Sequence, residues 1–313
     1  MKTEVDTFEV NCKVCGQDDF NAEVTTRDYA FETCSNEFFY RKCICGHWYL
    51  YNQPIETEIP RIYPESYTAY AISASSLIRK IRKLKSRQHL RHFSIQNNAT
   101  AVIDYGCGSG EWLSHAREIL GDEANLVGID FSDSGPEILR THNVSYIQNT
   151  QMGKIGSRTV DSCRMIQVIE HLSDLTQDLT QLSRILKPGG RLLIETPVAS
   201  GWDVKIGRTF MWGGWHAPRH FHIFSVGSLH SILEQSGFEV VSEKYIYGPY
   251  VWAETLRARY GSLNPSFANF FSIGNPFCLL LVGFLDFAQR LITRKTSNYR
   301  VIAQVRGQSL KME

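Results

Sequence analysis

The feature that most constrains this chain is the segment of residues 102–110, VIDYGCGSG, in which an apolar run ends in an acid and glycines follow. An amphipathic segment comes next, and this order predicts a strand, a tight glycine turn and a helix. Glycine permits the backbone angles of such a turn and lets a ligand lie against the main chain. The helix start adds unpaired N–H groups and the positive end of the helix dipole. One face of the predicted helix is apolar: Trp112, Leu113, Ala116, Ile119 and Leu120.

The spacing of the glycines separates this turn from two phosphate-binding loops. Dinucleotide-binding turns have the pattern G-x-G-x-x-G. Here Gly106, Gly108 and Gly110 are spaced G-x-G-x-G, and the carboxylate of Glu111 follows where it would repel a pyrophosphate. The ATP-binding loop requires G-K-[ST] after its glycines, and this turn has no such sequence. A purely structural glycine turn in another α/β protein stays open as the alternative.

A second apolar run ends in an acid. Residues 126–130, LVGID, predict a strand that ends at Asp130, 26 residues after Asp104. A carboxylate in that place can accept hydrogen bonds from both hydroxyls of a ribose. Phe131 is next to it and could cover the face of an adenine.

The chain then repeats the alternation of strand and helix. Residues 164–169, RMIQVI, predict a buried strand that runs into Glu170 and His171. Residues 174–186 predict an amphipathic helix, and the sequence Lys-Pro-Gly-Gly that follows is a helix stop. Residues 191–196, RLLIET, predict the next strand.

These segments together resemble one family. The form D-x-G-C-G-x-G resembles motif I of the class I S-adenosylmethionine-dependent methyltransferases, and IQVIEHL and LKPGGRLLIETP resemble later segments of that family. The resemblance implies an α/β fold with a doubly wound, seven-stranded, Rossmann-like sheet whose last strand is antiparallel. It also implies contacts to S-adenosylmethionine from a set of residues around the strand ends: Asp104, Tyr105, Gly106, Cys107, Gly108, Gly110, Asp130, Phe131, Gln167 and Val168.

The N-terminal region, residues 1–60, holds five of the eight cysteines. Cys12-x-x-Cys15-Gly has the form of a zinc knuckle, and Cys43 and Cys45 supply a second pair. The layout resembles the zinc ribbon that precedes the catalytic domain in many bacterial methyltransferases of surface-polysaccharide and modified-sugar pathways. The second pair departs from the usual C-x-x-C because Lys42 precedes Cys43. We expect structural zinc on these four cysteines.

Three alternatives to that ligand set stay open. His47 or Cys34 could replace one of the four cysteines. The cysteines could instead be free thiols, or the module could have lost its metal.

Residues 61–98 are interpreted as a linker that contains a basic helix, and residues 99–313 as the methyltransferase domain. In residues 78–91, seven of fourteen are Lys or Arg, and Ile78, Ile81 and Leu84 share one side. Such a helix could contact anionic lipid, a sugar phosphate or nucleic acid. For the fold we favour a linker helix packed by its apolar side.

The loop of residues 201–225 is the richest in groups that can do chemistry, with three tryptophans and several histidines. It lies beyond the carboxyl ends of the strands, where α/β proteins bind ligands. We predict His220 as the general base, His171 and Glu170 as groups that shape the site, and His216 as the nearest substitute. Alternatively, any one of these histidines only forms a structural hydrogen bond.

The chain matches only part of a motif that binds a catalytic metal in another methyltransferase family. The small-RNA 3′-end methyltransferases carry a metal site written E-x-x-E-H, whereas Gln167 takes the first position in QVIEH here. The sequence therefore predicts no catalytic metal.

Residues 251–296 are interpreted as an apolar helical insertion before the last strand, 299–305. The run of residues 277–285, FCLLLVGFL, is too short to span a bilayer. We favour a buried or lid helix over an interfacial helix that reaches a lipid-linked substrate.

The composition and net charge limit which classes of function and which cellular location we expect. Lys and Arg total 33 and Asp and Glu total 32, so the net charge of +1 provides no general attraction to nucleic acid. The first residues contain acids and no apolar run, so we expect no secretory signal peptide. We expect a cytoplasmic enzyme, with contact to the inner face of the membrane as an option.

The expected reaction is methyl transfer from S-adenosylmethionine to a small-molecule acceptor. A sugar, or a phosphorylated, sugar-linked or lipid-linked metabolite, is the favoured acceptor. The alternatives are an RNA methyltransferase with an N-terminal zinc module, and a non-catalytic protein that binds the cofactor or a partner.

Overall fold

The computed structural model describes residues 3–64, 67, 76–93, 95, 100–133, 135–206, 211–261, 264, 269–272 and 275–306. The N-terminal region forms two small antiparallel sheets, β1 with β5 and β2 with β3 and β4. Their strands are β1 (Thr7–Glu9), β2 (Phe20–Thr26), β3 (Phe38–Cys43), β4 (Trp48–Leu50) and β5 (Asn52–Pro54). The outer edge of β4 pairs with a strand from much later in the chain, as described below.

A seven-stranded mixed sheet forms the centre of the molecule, in the spatial order β12-β13-β10-β9-β6-β7-β8. The last strand runs antiparallel to both of its neighbours. The predicted doubly wound methyltransferase sheet with an antiparallel final strand is therefore confirmed. The strands are β6 (Ala101–Tyr105), β7 (Asn125–Asp130), β8 (Ser145–Gln148), β9 (Val160–Ile166), β10 (Leu186–Pro197), β12 (Phe238–Tyr245) and β13 (Asn298–Val305).

Helices cover both faces of this sheet because its strands are apolar on both sides. In β6, Val102 and Ile103 point into different buried clusters on opposite faces. The helices are α1 (Ile59–Ile62), α2 (Ser76–Leu90), α3 (Glu111–Leu120), α4 (Glu137–Thr141), α5 (Leu175–Ile185), α6 (Trp202–Ile206), α7 (Val226–Gln235), α8 (Pro249–Gly261) and α9 (Pro276–Thr293).

The N-terminal sheet is built partly from the histidine-bearing loop. Strand β11 (His222–Ile223) pairs with β4, so this sheet has the order β11-β4-β3-β2. The buried hydroxyl of Tyr40 lies 2.7 Å from the carbonyl oxygen of Trp215 and 2.6 Å from that of His220. The division of the chain near residue 60 stays a prediction, and the structure joins the two units through this shared sheet.

The expected packing of the basic helix is wrong. Ile81 and Leu84 are each 57% exposed, whereas His89 and Leu90 are buried. The buried side of α2 is a polar one, because Ser86 lies 3.3 Å from His115 of α3 and His89 lies 3.2 Å from Glu195. Arg82 and Lys83 also form ion pairs with Glu111 and Glu118 of α3.

The apolar insertion also differs from expectation. Helix α9 is 18 residues long and, by length and composition, could cross a membrane, so the estimate from residues 277–285 was too short. It is not a buried apolar helix either, because its buried face includes Asp286 and Gln289. Asp286 accepts from Gly248 N–H at 3.1 Å, and Gln289 accepts from Trp202 N–H at 2.5 Å. These polar anchors leave the apolar face of α9 outward.

Candidate active site

The glycine turn sits between β6 and α3, and its shape requires glycine. Gly106, Gly108 and Gly110 all have positive φ, at 74°, 50° and 74°. A Cβ on Gly106 would lie 2.3 Å from Val168 Cγ2, so any side chain there would clash. The N–H groups of Gly106 and Cys107 donate to Ile129 O at 2.7 and 3.0 Å, which ties the turn to β7.

A cavity of about 820 Å³ opens at this turn and runs to the histidine loop. Asp130 lies at one end, where its carboxylate accepts from Gly108 N–H at 2.7 Å and from Phe131 N–H at 2.8 Å. Burial raises the pKa of Asp130. The cavity wall contains six of the ten predicted cofactor residues: Gly106, Gly108, Asp130, Phe131, Gln167 and Val168.

The other predicted cofactor residues lie outside this wall. Asp104 is buried and is bound by Arg164 Nη1 at 2.6 Å, and burial raises the pKa of its carboxyl to about 6. Tyr105 is in the hydrophobic core, and Gly110 caps α3. Cys107 lines a second cavity of about 300 Å³ behind the turn.

The wall of the second cavity includes helix α2, which the sequence analysis interpreted as part of a linker. Helix α2 contributes Arg82 and Lys85 to its wall, beside Ser109 of the glycine turn, and Arg82 also lines the larger cavity. The concentration of Lys and Arg in α2 was the sequence signal that could have indicated a role at the site. It could not predict that the helix lies beside the glycine turn.

Two histidines at the far end of the large cavity are held in one tautomer. His171 Nδ1 lies 2.9 Å from Arg219 O and 3.0 Å from the Tyr63 hydroxyl, and His220 Nδ1 lies 2.8 Å from Gly214 O. Because a carbonyl only accepts, each Nδ1 carries the proton and each Nε2 keeps a lone pair. Burial lowers the pKa of His171 to about 4 and that of His220 well below its usual range. Both imidazoles are therefore neutral at pH 7.

Glu170 lies next to His171 but is not part of the cavity wall. Its side chain is fully buried, its Oε2 accepts from Thr196 Oγ1 at 2.9 Å, and its Oε1 has no hydrogen-bond partner in the described part of the chain. Burial raises the pKa of Glu170 to about 8. One ligand atom each from Glu170, His171 and His220 lie within 4.8 Å of one another. The His216 ring is 5.0 Å from that of His220 but is outside this group.

Four cysteines form a second compact group, in the N-terminal region. The Sγ atoms of Cys12 and Cys45 are 3.7 Å apart, and those of Cys15 and Cys43 are 3.3 Å apart. Tetrahedral zinc with Zn–S bonds of about 2.3 Å places sulfurs about 3.8 Å apart, so the four donors fit this ion. Burial raises the pKa of Cys43 to about 11, and a cation would reverse that effect by binding the thiolate.

The two proposed substitutes for a cysteine ligand lie elsewhere. His47 is buried against His222, with its Nε2 3.1 Å from His222 Nδ1. Cys34 belongs to a hydrophobic cluster with Phe38 and Trp215. His222, in the same loop as His216 and His220, bonds to His47 and donates through Nε2 to Leu172 O, 3.0 Å away.

Comparison with known proteins now identifies the family. Residues 77–243 match a family model described as a methyltransferase domain, which is more than half of the chain. The chain belongs to this methyltransferase family. Its fold is that of the class I S-adenosylmethionine-dependent methyltransferases, as the sequence predicted.

Relatives of this methyltransferase are distant. A demethylmenaquinone methyltransferase of Shouchella clausii is 23% identical over 153 residues, 46% of this chain and 65% of the relative. An uncharacterized 37.1 kDa protein in transposon TN4556 of Streptomyces fradiae is 30% identical over 110 residues, 33% of this chain and 31% of the relative. The chain thus spans less than two thirds of either relative's length.

A solved structure supports the same fold. Phosphoethanolamine N-methyltransferase 2 of Haemonchus contortus, in complex with S-adenosyl-L-methionine, aligns with a TM-score of 0.53 and 17% sequence identity. The alignment covers 93% of this chain and 68% of that chain. At this identity the likeness is one of fold.

Proposed function

We propose that this methyltransferase transfers a methyl group from S-adenosylmethionine to a small-molecule acceptor. The observation that carries the proposal is the cavity of about 820 Å³, which has the glycine turn and Asp130 at one end and neutral imidazoles at the other. When bound, S-adenosylmethionine supplies a methyl group that its sulfonium already activates. The protein then mainly has to align the acceptor with that group.

The chain's own residues divide between the two ends of the cavity. Gly106 and Gly108 leave their main chain open to the cofactor, and Asp130 offers its carboxylate to the ribose hydroxyls. Tyr250 donates to Gln167 Oε1 at 2.6 Å, which holds the amide in place between the two ends. His171 and His220 face the acceptor side, and His220 as the base stays a prediction.

For the acceptor, we propose a sugar or a sugar-linked or lipid-linked metabolite with a hydroxyl to be methylated. The acceptor end combines aromatic rings with polar groups, among them Tyr63, His216, Tyr250 and Arg257. Rings of this kind stack on the apolar faces of sugars, and Arg257 suits a phosphate. The relatives' acceptors, a quinone and phosphoethanolamine by their names, support a small molecule.

Two experiments test this function. Mass spectrometry of ligands that co-purify with the protein should find S-adenosylmethionine or S-adenosylhomocysteine. Labelled S-adenosylmethionine should then transfer its methyl group to a member of a panel of nucleotide sugars and lipid-linked sugars. Intact cofactor binding without turnover on any acceptor would favour the non-catalytic alternative. Retention on RNA that falls steeply with salt would favour the RNA methyltransferase.

We also propose that Cys12, Cys15, Cys43 and Cys45 hold one structural zinc ion, as in the zinc-ribbon modules that this region resembles. The support is the compact group of four sulfurs with spacings near those of a tetrahedral site. The zinc would cross-link the turn that contains Cys12 and Cys15 to the end of β3 and the turn after it, which contain Cys43 and Cys45.

Finally, we propose a cytoplasmic protein that contacts the inner face of the membrane through α9. Phe277, Leu280, Phe284 and Leu291 are between 68% and 73% exposed on the outward side of this helix. Basic residues follow at its C-terminal end, which suits anionic lipid headgroups: Arg290, Arg294 and Lys295. The buried side of α9 is mixed, with Cys278 and Val282 beside Asp286 and Gln289, and its outward apolar side is the one that suits a membrane interface.

Flotation with anionic vesicles tests the membrane contact. The wild-type protein should float, and the double variant Leu280→Ser/Phe284→Ser should not. Val241 is 49% exposed on β12, away from this helix, so Val241→Ser is the matched control and should float like the wild type. Failure to float together with a dimer in light scattering would show that a second copy covers α9 instead.

A further inference from the structure

We propose that Glu170, His171 and His220 bind a divalent metal cation at the acceptor end of the cavity. One ligand atom from each lies within 4.8 Å of the other two. Glu170 and His171 come from the turn after β9, and His220 comes from the loop that precedes β11. The proposal deepens the proposed function, because the cation would lie beside the acceptor; His220 would then serve as a metal ligand and not as the general base.

The two histidines are oriented as metal ligands are. Each Nδ1–H donates to a backbone carbonyl, at 2.9 Å to Arg219 O and at 2.8 Å to Gly214 O. A ligand histidine almost always donates its second ring N–H in this way, which fixes the tautomer and the direction of the ligating nitrogen. The Nε2 atoms of His171 and His220 are thus available with their lone pairs.

The carboxylate supplies an independent observation. Glu170 is fully buried and Oε1 has no hydrogen-bond partner among the described residues, although Oε2 is satisfied by Thr196. A buried polar atom without a partner is costly, and buried charges in proteins are paired or coordinate metals. A cation between Glu170 and the two imidazoles would provide the missing partner and offset the charge of the carboxylate.

The absence of a glutamate at position 167 does not argue against this site. Gln167 donates through Nε2 to Asn298 Oδ1 at 3.1 Å and accepts from the Tyr250 hydroxyl at 2.6 Å, so its amide is engaged elsewhere. The third ligand is His220 instead. A short sequence motif around Glu170 and His171 cannot include this ligand, because His220 lies 49 residues after His171.

The donor set indicates the class of metal. Two imidazoles and one carboxylate suit zinc and neighbouring first-row divalent ions, whereas Mg²⁺ and Ca²⁺ prefer oxygen ligands. Three protein ligands leave a position open, as in catalytic sites. A hydroxyl acceptor in that position would lose its proton to water more easily. Its oxygen would bond to the methyl carbon as the sulfur–carbon bond breaks, giving a methyl ether and S-adenosylhomocysteine.

Cobalt substitution tests the site in the full-length chain without an acceptor. The protein is freed of metal, titrated with Co²⁺ and analysed for bound cobalt and for its absorption spectrum. Cobalt in the cysteine group gives a thiolate charge-transfer band, and cobalt on Glu170, His171 and His220 gives none. The wild type should therefore bind one cobalt per chain beyond the amount that the thiolate band accounts for.

Three variants sharpen the result. Glu170→Gln and His220→Gln should each lose this additional cobalt, with an affinity at least about 100-fold weaker, while the thiolate band stays unchanged and reports an intact fold. His216→Gln is the matched control, because His216 lies in the same cavity but outside the three-donor group, and it should bind as much cobalt as the wild type. If either ligand variant loses the band, His171→Gln replaces it.

The outcome separates this inference from the proposed function. No additional cobalt in the wild type, or unchanged binding in both ligand variants, would overturn the metal site. S-adenosylmethionine binding, measured on the same samples, is the separate readout for the methyltransferase function. Binding of S-adenosylmethionine without the additional cobalt would leave that function standing and remove only the metal.

Discussion

The buried ion pair of Asp28 and Arg219 allows the most quantitative prediction. Both side chains are fully buried, and Arg219 donates to the two carboxylate oxygens of Asp28 at 3.1 and 2.9 Å. Asp28 also accepts from Thr33 N–H at 2.8 Å and from Thr33 Oγ1 at 2.7 Å. Arg219 Nε donates to Ile62 O at 2.6 Å. The pair therefore joins the N-terminal region to the histidine loop.

Two arguments give the size of the stability loss that we expect when the Asp28 charge is removed. Burial alone would raise the pKa of Asp28, but Arg219 outweighs it and lowers this pKa from 3.8 to about 2. A shift of that size corresponds to about 2.5 kcal/mol of folding free energy. In Asp28→Asn the charge of Arg219 is left buried without its partner, which costs about 3–5 kcal/mol. We expect a loss of about 3 kcal/mol in the free energy of unfolding at pH 7.

The sign of the pH dependence follows from the lowered pKa. Stability from the Asp28 carboxylate is complete above the unfolded pKa of about 4 and is lost as the pH falls through about 2. In urea unfolding experiments, the difference in the free energy of unfolding between the wild type and Asp28→Asn should therefore shrink as the pH falls through this range. Glu37→Gln is the control, since the side chains of Arg27 and Glu37 are 61% and 51% exposed and solvent screens their interaction, so this variant should unfold like the wild type. Equal stability of Asp28→Asn and wild type at pH 7 would refute the reasoning.

Three further predictions concern the cofactor turn and the cysteines. Asp130→Ala should weaken S-adenosylmethionine binding roughly tenfold or more in calorimetry, since a charged hydrogen bond contributes about 1.5–3 kcal/mol, and the exposed Asp133→Ala should not. Gly106→Ala should lower the melting temperature more than Gly121→Ala; both positions have positive φ, but only the first Cβ would clash with a neighbour. Cys12→Ser should lose about one zinc per chain in metal analysis, and unchanged zinc content would show a different ligand set.

The order of strands and helices was predictable because it depends on local patterns. The glycine turn, the acid at the end of β7 and the helix stop after α5 are each written within a few consecutive residues. The family resemblance then supplied the doubly wound seven-stranded sheet and its antiparallel last strand. The turn residues Gly106 and Gly108 and the acid Asp130 meet at one cavity, as expected for residues at the carboxyl ends of adjacent parallel strands.

The acceptor end was less predictable because it depends on contacts between distant segments. His220 approaches Glu170 and His171 only because β11 pairs with β4 and because Phe221 N–H donates to Glu170 O at 2.7 Å. The orientation of α9 depends in the same way on the polar anchors Asp286 and Gln289. A hydrophobic count of its sequence cannot show that Asp286 and Gln289 are buried while Phe277 and Leu280 are exposed.

The central claim is that the cavity at the glycine turn holds S-adenosylmethionine. Isothermal titration calorimetry of the full-length chain tests it most directly, with S-adenosylmethionine, S-adenosylhomocysteine and NAD as ligands. We expect saturable binding of one S-adenosylmethionine per chain, competition by S-adenosylhomocysteine and no competition by NAD, since the G-x-G-x-G turn lacks the G-x-G-x-x-G spacing of dinucleotide-binding turns. Absence of S-adenosylmethionine binding, or its displacement by NAD, would contradict this account.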